Sequence, residues 1–343
     1  MTISDSAHKA SKPLMIGSVQ IPNGIFLAPM SGITDLPFRQ LAMQFGAGLV
    51  VSEMVASKAF AVGKEEMRLR AEGQGMNLHA VQLAGNRSDW MAEAAKLCEG
   101  AGAGLIDINM GCPAKRVING YSGSALMKDL DHAVRLIDAV VMAVTVPVTV
   151  KMRLGWDDGS KNASELARRA EQSGAQLITV HGRTRCQFYK GSADWRAIAP
   201  VKEGLGIPLI SNGDLIKVED APAMLEQSHS DGVMVGRGAY GRPWLPGHVA
   251  HYLKTGEVLT EPEGQELLDL ILDHYQHMID YYPHPVGVRC ARKHLGWYMD
   301  GIEERFNRVA PEQRRSILTE MDPNRVEELI KAYFSQIVEG MAA

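Results

Sequence analysis

The chain has 343 residues, of which 45% are hydrophobic and 22% are charged, and its formal net charge is −4. This composition is ordinary for a globular protein and gives no overall attraction to nucleic acid, so an RNA partner would require a local basic patch. We expect neither a signal peptide nor a membrane helix, because the start is polar and no apolar run approaches about 18 residues. The four cysteines form no Cys-x-x-Cys pair, which argues against a metal site or a disulfide framework and favours a cytoplasmic, reducing location.

The first part of the chain is predicted to be a tail followed by a hairpin. Residues 1–12 are polar, and we expect them to be disordered. Residues 14–25 contain the turn signal Ile21-Pro22-Asn23-Gly24 between extended residues. We therefore expect a hairpin here that plugs the bottom of the domain that follows.

Eight short apolar runs come next, and all but the first carry a polar or charged residue toward the carboxyl end. Strands that are apolar throughout and polar only at their carboxyl end belong to a parallel sheet buried on both faces. Eight of them, separated by amphipathic stretches, predict a (β/α)8 TIM barrel at residues 13–254 with its catalytic groups at the strand ends. The runs are Ile25–Met30, Gly48–Met54, His79–Gly85, Leu105–Gly111, Pro147–Arg153, Leu177–Gly182, Pro208–Gly213 and Gly232–Gly238.

The chain beyond the barrel is predicted to form a second, all-helical domain. Residues 255–264 are polar and are expected to be a linker. In residues 265–343 apolar side chains recur at helical spacing, and prolines at positions 283, 285, 311 and 323 divide the pattern. We expect a small bundle of about four helices.

Two glycine-containing loops after the seventh and eighth strands predict a phosphate site. The segment from Gly236 to Gly241 matches G-x-G-x-x-G, but a dinucleotide-binding fold would have it after the first strand, not the eighth. In a TIM barrel these two loops commonly bind phosphate, so we expect Asn212-Gly213-Asp214 and Gly236-Arg237 to do so. The alternative is that these glycines only make tight turns.

Other polar side chains are expected to line the barrel mouth. Gln82, Lys151 and His181 follow different strands, and together with the phosphate site they favour a bound mononucleotide. Lys151 would stabilise the anionic reduced ring of a flavin, and Arg153 would face the same space because it lies two residues further along the strand. The alternative for His181 is a buried structural residue.

Cys112 lies just beyond the fourth run, in a loop with Lys115 and Arg116. A cysteine is usually a small buried hydrophobe, which is the alternative here. Its place just after the end of a strand favours a catalytic role. An unperturbed thiol is mostly protonated at neutral pH, so it suits a proton donor as well as a nucleophile.

Six segments carry most of these residues in a fixed order. They are Ala28-Pro29-Met30-Ser31-Gly32-Ile33-Thr34-Asp35, Val81-Gln82-Leu83-Ala84-Gly85, Asp107-Ile108-Asn109-Met110-Gly111-Cys112-Pro113, Val150-Lys151-Met152-Arg153, His181-Gly182-Arg183-Thr184 and Asn212-Gly213-Asp214. Together they resemble the tRNA-dihydrouridine synthases, and in particular their bacterial B-type branch. The helical C-terminus fits too, so the resemblance covers nearly the whole chain.

The resemblance implies an FMN-dependent enzyme that reduces the C5–C6 double bond of uridines in the D-loop of tRNA, with NADPH as reductant. Hydride would pass from flavin N5 to C6, and Cys112 would protonate C5. Asn109 and Arg153 would hold the uracil edge. By the same resemblance the FMN contacts are Pro29, Met30, Ser31 (often alanine in the family), Gln82, Lys151, His181, Asn212, Gly213, Asp214, Gly236 and Arg237.

A basic stretch at residues 287–315 is the predicted tRNA surface. It holds seven basic and four acidic side chains, a local charge of +3. Arg289, Arg292 and Lys293 lie at i, i+3 and i+4, so one helical face would present all three. Arg183 and Arg185 would extend this surface to the barrel mouth, where the target base must flip out of its stack. The alternative is a solvated helix face.

Two other functions remain open at this point. One is an FMN barrel oxidoreductase acting on a free small molecule, which would not need the helical domain. The other is a non-catalytic RNA-binding protein on an inherited barrel, against which Cys112, Lys151 and Asn109 argue. We expect a monomer with no metal and no membrane partner.

Overall fold

The computed structural model describes residues 5–338 of the chain, and its central feature is a closed parallel barrel. Eight strands close in the order β10-β3-β4-β5-β6-β7-β8-β9, and every neighbouring pair is parallel. The strands are β1 Leu14–Ile16, β2 Val19–Ile21, β3 Ile25–Leu27, β4 Leu49–Ala56, β5 Ala80–Ala84, β6 Leu105–Met110, β7 Val148–Arg153, β8 Ile178–His181, β9 Leu209–Asn212 and β10 Gly232–Val235. The predicted TIM barrel is confirmed: seven of the apolar runs contain one barrel strand each, and the run Gly48–Met54 covers β4 except for its last two residues.

Helices follow the strands and cover the outside of the barrel. The helix Leu130–Val141 (α7), for example, buries residues at i, i+3, i+4 and i+7 on its hydrophobic face. The helices up to the end of the barrel are α1 Asp5–Ala10, α2 Leu36–Gln44, α3 Ser57–Ala61, α4 Glu65–Arg70, α5 Ser88–Gly100, α6 Lys115–Ile118, α7 Leu130–Val141, α8 Ala163–Gln172, α9 Ala199–Lys202, α10 Ala221–Ser228 and α11 Leu245–Thr255.

The predicted hairpin forms, but its turn is not where the sequence signal placed it. Strands β1 and β2 pair antiparallel with Ile16 opposite Val19, so the turn lies at Gly17, which has a φ of +57° that glycine adopts without strain. Ile16 and Ile21 are buried in one cluster with residues from the barrel strands. The hairpin therefore packs against the barrel core, as a plug would.

The described part of the predicted disordered tail is helical. Residues 1–4 lie outside the described residues, whereas α1 covers Asp5–Ala10. Ala10 is buried, and the ammonium group of Lys9 lies 2.7 Å from the carboxylate of Asp231. This packing and this ion pair explain the difference from the prediction.

The chain divides into two compact units. The first contains the residues up to Gly238 together with Leu245–Val258, and the second contains Ala239–Trp244 together with the residues from Leu259 onward. The second unit holds the helices α12 Gly264–Tyr281, α13 Val286–Phe306, α14 Pro311–Thr319 and α15 Pro323–Val338. No helix of the described residues is long and apolar enough to cross a bilayer.

The short segment Ala239–Trp244 was predicted to belong to the barrel, but it groups with the helices. The ring of Tyr240 stacks on that of Trp297 with centroids 4.0 Å apart. Arg242 is paired with Glu261 at 2.5 Å, and Arg305 binds the other oxygen of the same carboxylate at 2.9 Å. These contacts, between residues far apart in sequence, place the segment in the second unit.

Candidate active site

The carboxyl ends of the barrel strands carry most of the predicted site residues. Gln82 lies in β5, Asn109 in β6, Lys151 and Arg153 in β7, His181 in β8 and Asn212 in β9, while Pro29, Met30 and Ser31 follow β3 and Gly236 and Arg237 follow β10. Alternate residues of a strand point to the same side, so the odd-numbered polar residues of β6 and β7 all face the barrel interior. The structure therefore brings these residues together at one end of the barrel.

A chain of hydrogen bonds runs through the interior beneath the mouth. The carboxylate of Asp107 accepts hydrogen bonds from Thr149 Oγ1 and Gln82 Nε2, both at 2.6 Å. Gln82 Oε1 then accepts from Asn109 Nδ2 at 2.7 Å. Asn109 Oδ1 in turn accepts from the backbone N–H of Cys112 at 3.0 Å. The buried Asp107 was not among the predicted site residues, although its position two residues before Asn109 is a signal that could have identified it.

A buried carboxyl and a partly buried amine at the centre of the site have pKa values shifted toward neutrality. Burial raises the pKa of the Asp107 carboxyl to about 6, although hydrogen bonds from Gln82 and Thr149 oppose the rise. Burial and the neighbouring charge of Arg153 lower the pKa of Lys151 to about 8. At pH 7 Asp107 is therefore mostly ionised and Lys151 mostly protonated. Such shifted pairs are typical of functional sites.

The side chains on the β7–β9 side of the site are held in fixed orientations. Lys151 Nζ donates to Asn212 Oδ1 at 3.0 Å, and Asn212 Nδ2 donates to the carbonyl of Met234 at 2.8 Å. Burial and four nearby cations lower the pKa of His181 well below its usual value, so the imidazole is neutral. Its Nε2 lies 3.3 Å from a guanidinium nitrogen of Arg183, which can only donate, so Nε2 is the accepting nitrogen.

The two predicted phosphate loops differ in the space beside their glycines, which is crowded at Gly213 and open at Gly236. Gly213 has a φ of +126°, and a Cβ there would lie 2.6 Å from the Cβ of Ala193. At Gly236 a Cβ would have nothing closer than 3.9 Å, so the backbone is open on that side. Arg237 is 46% exposed and donates to Asp214 at 3.2 Å. A cation and an open backbone are what a phosphate-binding loop requires.

The prediction that Arg183 extends the basic surface to the barrel mouth is wrong, because this side chain is buried. Its side chain is 1% exposed, and it forms a two-point ion pair with the carboxylate of Asp214, at 2.9 and 2.5 Å. The same carboxylate accepts from the backbone N–H of Ala193 at 2.7 Å. Arg183 therefore orients the β8 and β9 loops and does not extend a surface for RNA. A buried guanidinium needs a paired carboxylate to offset the loss of its hydration. For Arg183 this carboxylate is Asp214, which lies 31 residues away in the sequence.

Arg153 is also buried, and its hydrogen bonds join two loops. Its Nε donates to the carbonyl of Gly111 at 2.9 Å, and its Nη1 donates to the carbonyls of Thr184 and Phe188 at 2.9 and 2.8 Å. The guanidinium thus ties the Cys112 loop to the loop after β8. That it also holds the uracil edge stays a prediction.

Tyr189 is a site residue that the sequence reasoning missed. Its ring lies under two guanidinium groups, at 5.4 Å from Arg153 and 4.6 Å from Arg237, and 6.4 Å from the ring of His181. The side chain is 50% exposed. A half-exposed aromatic ring beside cations at a barrel mouth can contact a planar ligand. A single tyrosine in a loop belongs to no sequence pattern from which a place at the barrel mouth could be predicted.

The β3 loop and the Cys112 loop complete the mouth. Ser31 is exposed, and the neighbouring N–H of Gly32 donates to the carboxylate of Glu53 at 2.5 Å. Cys112 is a free, partly exposed cysteine whose carbonyl accepts from Ser124 Oγ at 2.9 Å. Its thiol interacts electrostatically with both Lys151 and Arg153. The thiol of Cys112 is therefore near both cations.

Comparison with known proteins agrees with this arrangement. The family model described as dihydrouridine synthase (Dus) matches residues 26–333. The chain belongs to the dihydrouridine synthase family.

Two relatives support the same assignment, and a solved structure shares the fold. A probable tRNA-dihydrouridine synthase of Rickettsia conorii is 51% identical over 328 residues, which cover 95% of this chain and 98% of the relative. The tRNA-dihydrouridine synthase B of Xanthomonas axonopodis pv. citri is 47% identical over 83% of this chain and 86% of its own. A morphinone reductase solved with tetrahydroNAD is similar in fold alone, with a TM-score of 0.50 and 16% identity over 75% of this chain and 93% of that one. The predicted family and the prediction of an enzyme are confirmed.

The basic stretch of this family member is only partly exposed. Arg289 and Lys293 on α13 are exposed and form no ion pair within the described residues. Arg292 instead donates to the carbonyls of Thr319 and Glu320, at 3.1 and 3.0 Å, at the end of α14. The prediction that one face presents all three cations is therefore wrong for Arg292, because the last carbonyls of a helix need donors and Arg292 supplies one.

Proposed function

We propose that the protein reduces the C5–C6 double bond of specific uridines in the D-loop of tRNA, with bound FMN and with NADPH as reductant. The observation that carries the proposal is the joint position of Cys112, Lys151 and Asn109 at the mouth of a barrel in a dihydrouridine synthase. A cytoplasmic location agrees with cysteines that are free throughout the described chain.

The residues present fit an FMN cofactor. The open backbone at Gly236 and the half-exposed Arg237 suit its phosphate, with Asn212 and Gly213 on the neighbouring loop. Gln82, Lys151 and neutral His181 offer donors of the kind that bind an isoalloxazine ring, while Pro29, Met30 and Ser31 lie in the loop after β3. Reduced FMN supplies the hydride that C6 of the uracil accepts.

The protein's own groups would stabilise the charge that develops on the base. After C6 accepts hydride, negative charge moves to the C4 carbonyl, and a protonated Lys151 nearby favours that charge in a site shielded from water. Asn109 keeps one amide proton free after donating to Gln82, so it can donate to the uracil edge. Arg153 would act from the same side of the pleat.

Cys112 would supply the proton to C5. Its backbone N–H is bonded to Asn109, the residue proposed to hold the base, which fixes the thiol relative to the uracil edge. The proton leaves Sγ for C5, and the resulting thiolate is stabilised by Lys151 and Arg153. General acid catalysis of this kind contributes roughly 10²- to 10⁴-fold to a rate.

The substrate would reach the site by base flipping, and α13 would contact its backbone. A uridine inside a stacked tRNA loop cannot reach a barrel mouth unless it leaves the stack. The exposed cations Arg289 and Lys293 are candidates for contacts to phosphates, which carry most of the sequence-independent affinity for RNA.

A direct test uses tRNA lacking dihydrouridine, incubated with the purified protein, FMN and NADPH and then digested for nucleoside mass analysis. We expect a gain of two hydrogens on uridine, and mapping would place the change in the D-loop. A yellow protein that NADPH reduces but that leaves the tRNA unchanged would contradict the proposal and favour a small-molecule flavoenzyme.

A further inference from the structure

A cluster of cations and aromatic rings lies on the rim of the barrel, outside the site described above. Lys128 Nζ lies 3.8 Å from the ring centroid of Trp156, and the guanidinium carbon of Arg185 lies 4.6 Å from the same ring. The guanidinium also lies 4.6 Å from the ring of Phe188. We call Lys128, Trp156, Arg185 and Phe188 the rim cluster.

Backbone hydrogen bonds build the rim cluster from three successive strand loops. The N–H groups of Arg185 and Cys186 donate to the carbonyls of Gly155 and Trp156, both at 2.9 Å, which joins the β7 and β8 loops. Asn162 Nδ2 donates to the carbonyl of Met127 at 2.8 Å, which joins the β7 loop to the segment that ends at Lys128. The cluster is therefore fixed before any ligand arrives, so binding costs little ordering.

The two cations of the rim cluster contact the same ring, and no ion pair of the described residues neutralises either of them. Within the described residues neither Lys128 nor Arg185 forms an ion pair, and Arg185 Nε is buried without a hydrogen-bond partner. The nearest acidic side chains in the sequence have other partners: Asp129 caps α7 through the N–H of His132, Asp157 accepts from Ser160, and Asp158 pairs with Lys161. Two like charges held close together in this way are stabilised by an anion from outside.

The rim cluster adjoins the proposed proton donor. The short helical turn Gly123–Lys128 begins beside Cys112, whose carbonyl accepts from Ser124 N–H at 3.1 Å. Arg185 directly follows Thr184, whose carbonyl accepts from Arg153 at 2.9 Å. An anion on the cluster would therefore lie near the point where a base enters the barrel.

We propose that the rim cluster binds a backbone phosphate of the RNA strand next to the uridine that enters the barrel. This inference rests on the proposed function for the identity of the substrate. The pairing of cations with aromatic rings is typical of single-stranded nucleic acid sites, where a guanidinium binds phosphate and a ring contacts a base or sugar. The other source of phosphate at this position is the nicotinamide dinucleotide, and the test separates the two.

The test compares the FMN-loaded wild-type protein with Lys128→Glu and with the double variant Lys128→Ala, Arg185→Gln. The control is Lys96→Ala, because Lys96 is an exposed lysine on α5, on the outside of the barrel. Binding of unmodified tRNA is measured over a range of salt concentrations. Flavin reduction by NADPH is measured separately, in the absence of tRNA.

We expect the double variant to bind tRNA about tenfold more weakly and to lose roughly one unit of the slope of log affinity against log salt. Lys128→Glu, which changes only an exposed side chain, should weaken binding in the same direction, whereas Lys96→Ala should bind as the wild type does. Flavin reduction by NADPH should be unchanged in all variants. Unchanged tRNA affinity, or a loss confined to NADPH, would overturn the proposal.

The outcome is independent of whether the proposed reaction is correct. Dihydrouridine formation by the wild-type protein tests the reaction, and the affinity of the variants for tRNA tests the rim cluster. A wild-type protein that forms dihydrouridine while its rim variants bind tRNA normally would refute only the rim site.

Discussion

Gln82 and Asn109 carry amides whose two ends differ chemically, and Asp107 decides which end faces which neighbour. A carboxylate can only accept, so Gln82 must turn its nitrogen toward Asp107 and its oxygen toward Asn109. Asn109 must then direct its own oxygen to the N–H of Cys112. One buried acid thus sets the donor pattern that the mouth presents.

Asp107→Asn tests this dependence, because it keeps the shape and removes the charge and one accepting atom. We expect FMN to bind about tenfold more weakly, since a charge-assisted hydrogen bond is worth about 1.5 kcal/mol or more. Titration of the apoprotein with FMN, followed by quenching of flavin fluorescence, measures this. Thr149→Val, which removes one donor to the same carboxylate, should have a smaller effect; equal binding in Asp107→Asn and wild type would show that the amides are held by other contacts.

Cys112→Ala should separate the two halves of the proposed reaction. The variant should bind FMN and accept electrons from NADPH normally, but its dihydrouridine formation should fall by roughly 10²-fold or more, because the proton donor is gone. Stopped-flow reduction and nucleoside mass analysis measure the two steps. Cys186→Ala is the matched control, since Cys186 is an exposed cysteine. Normal turnover in Cys112→Ala would remove the cysteine from the mechanism.

The charge of Lys151 predicts how turnover depends on pH. Because its pKa is lowered to about 8, Lys151 is protonated below that pH and neutral above it. We therefore expect turnover to fall as the pH rises through about 8, as the cation that stabilises the C4 oxygen is lost. Lys151→Arg should move this fall in turnover to higher pH, since a guanidinium stays charged. If the fall in turnover stayed at the same pH in this variant, a group other than Lys151 would be responsible for it.

At the scale of the elements, the barrel strands and the helices of the second unit were predictable because each carries its own hydrophobic pattern. The turn of the first hairpin was misplaced because Gly17 and Pro22-Asn23-Gly24 are both turn signals, and only the pairing of Ile16 with Val19 decides between them. Arg183 and Arg292 were misassigned for a related reason. Their partners are a carboxylate and carbonyls that lie far away in the sequence, and no local pattern encodes such pairing.

Helix α13 offers a prediction that separates binding from stability. Arg289→Glu with Lys293→Glu should weaken tRNA binding at least tenfold and flatten its salt dependence, with little change in the melting temperature, because both side chains are exposed. Arg292→Ala should leave tRNA binding largely unchanged and lower the free energy of unfolding by about 1 to 2 kcal/mol, because it removes donors to the end of α14. Binding titrations and thermal unfolding distinguish the two. Normal tRNA binding in the double variant would place the RNA surface elsewhere.

At the scale of the whole molecule, a protein with a net charge of −4 must bind an anionic polymer through a few local groups. We propose that the exposed cations of α13 and the two cations of the rim cluster are such groups, whereas the charges of buried Arg153 and Arg183 lie inside the barrel. Affinity for tRNA should therefore depend strongly on salt although the protein as a whole repels RNA.

Removal of the cofactor gives a prediction at the same scale. A ligand present at about 100 times its dissociation constant stabilises the folded state by about 2.7 kcal/mol. FMN should therefore raise the melting temperature of the apoprotein, and calorimetry with and without FMN measures the shift. Riboflavin, which lacks the phosphate, is the control, and it should shift the transition less. Equal shifts would argue against the phosphate site at Gly236 and Arg237.

The segment Ala239–Trp244 means that the helical unit is not a removable tail. A protein ended at residue 258 would keep Tyr240 and Arg242 but lose Trp297, which stacks on Tyr240, and Glu261, which pairs with Arg242. In a chimera of two relatives, the segment Ala239–Trp244 would come from one protein and the helices that it contacts from the other, unless both were exchanged together. The natural unit of exchange in this protein therefore has two pieces, one of which is embedded in the barrel sequence.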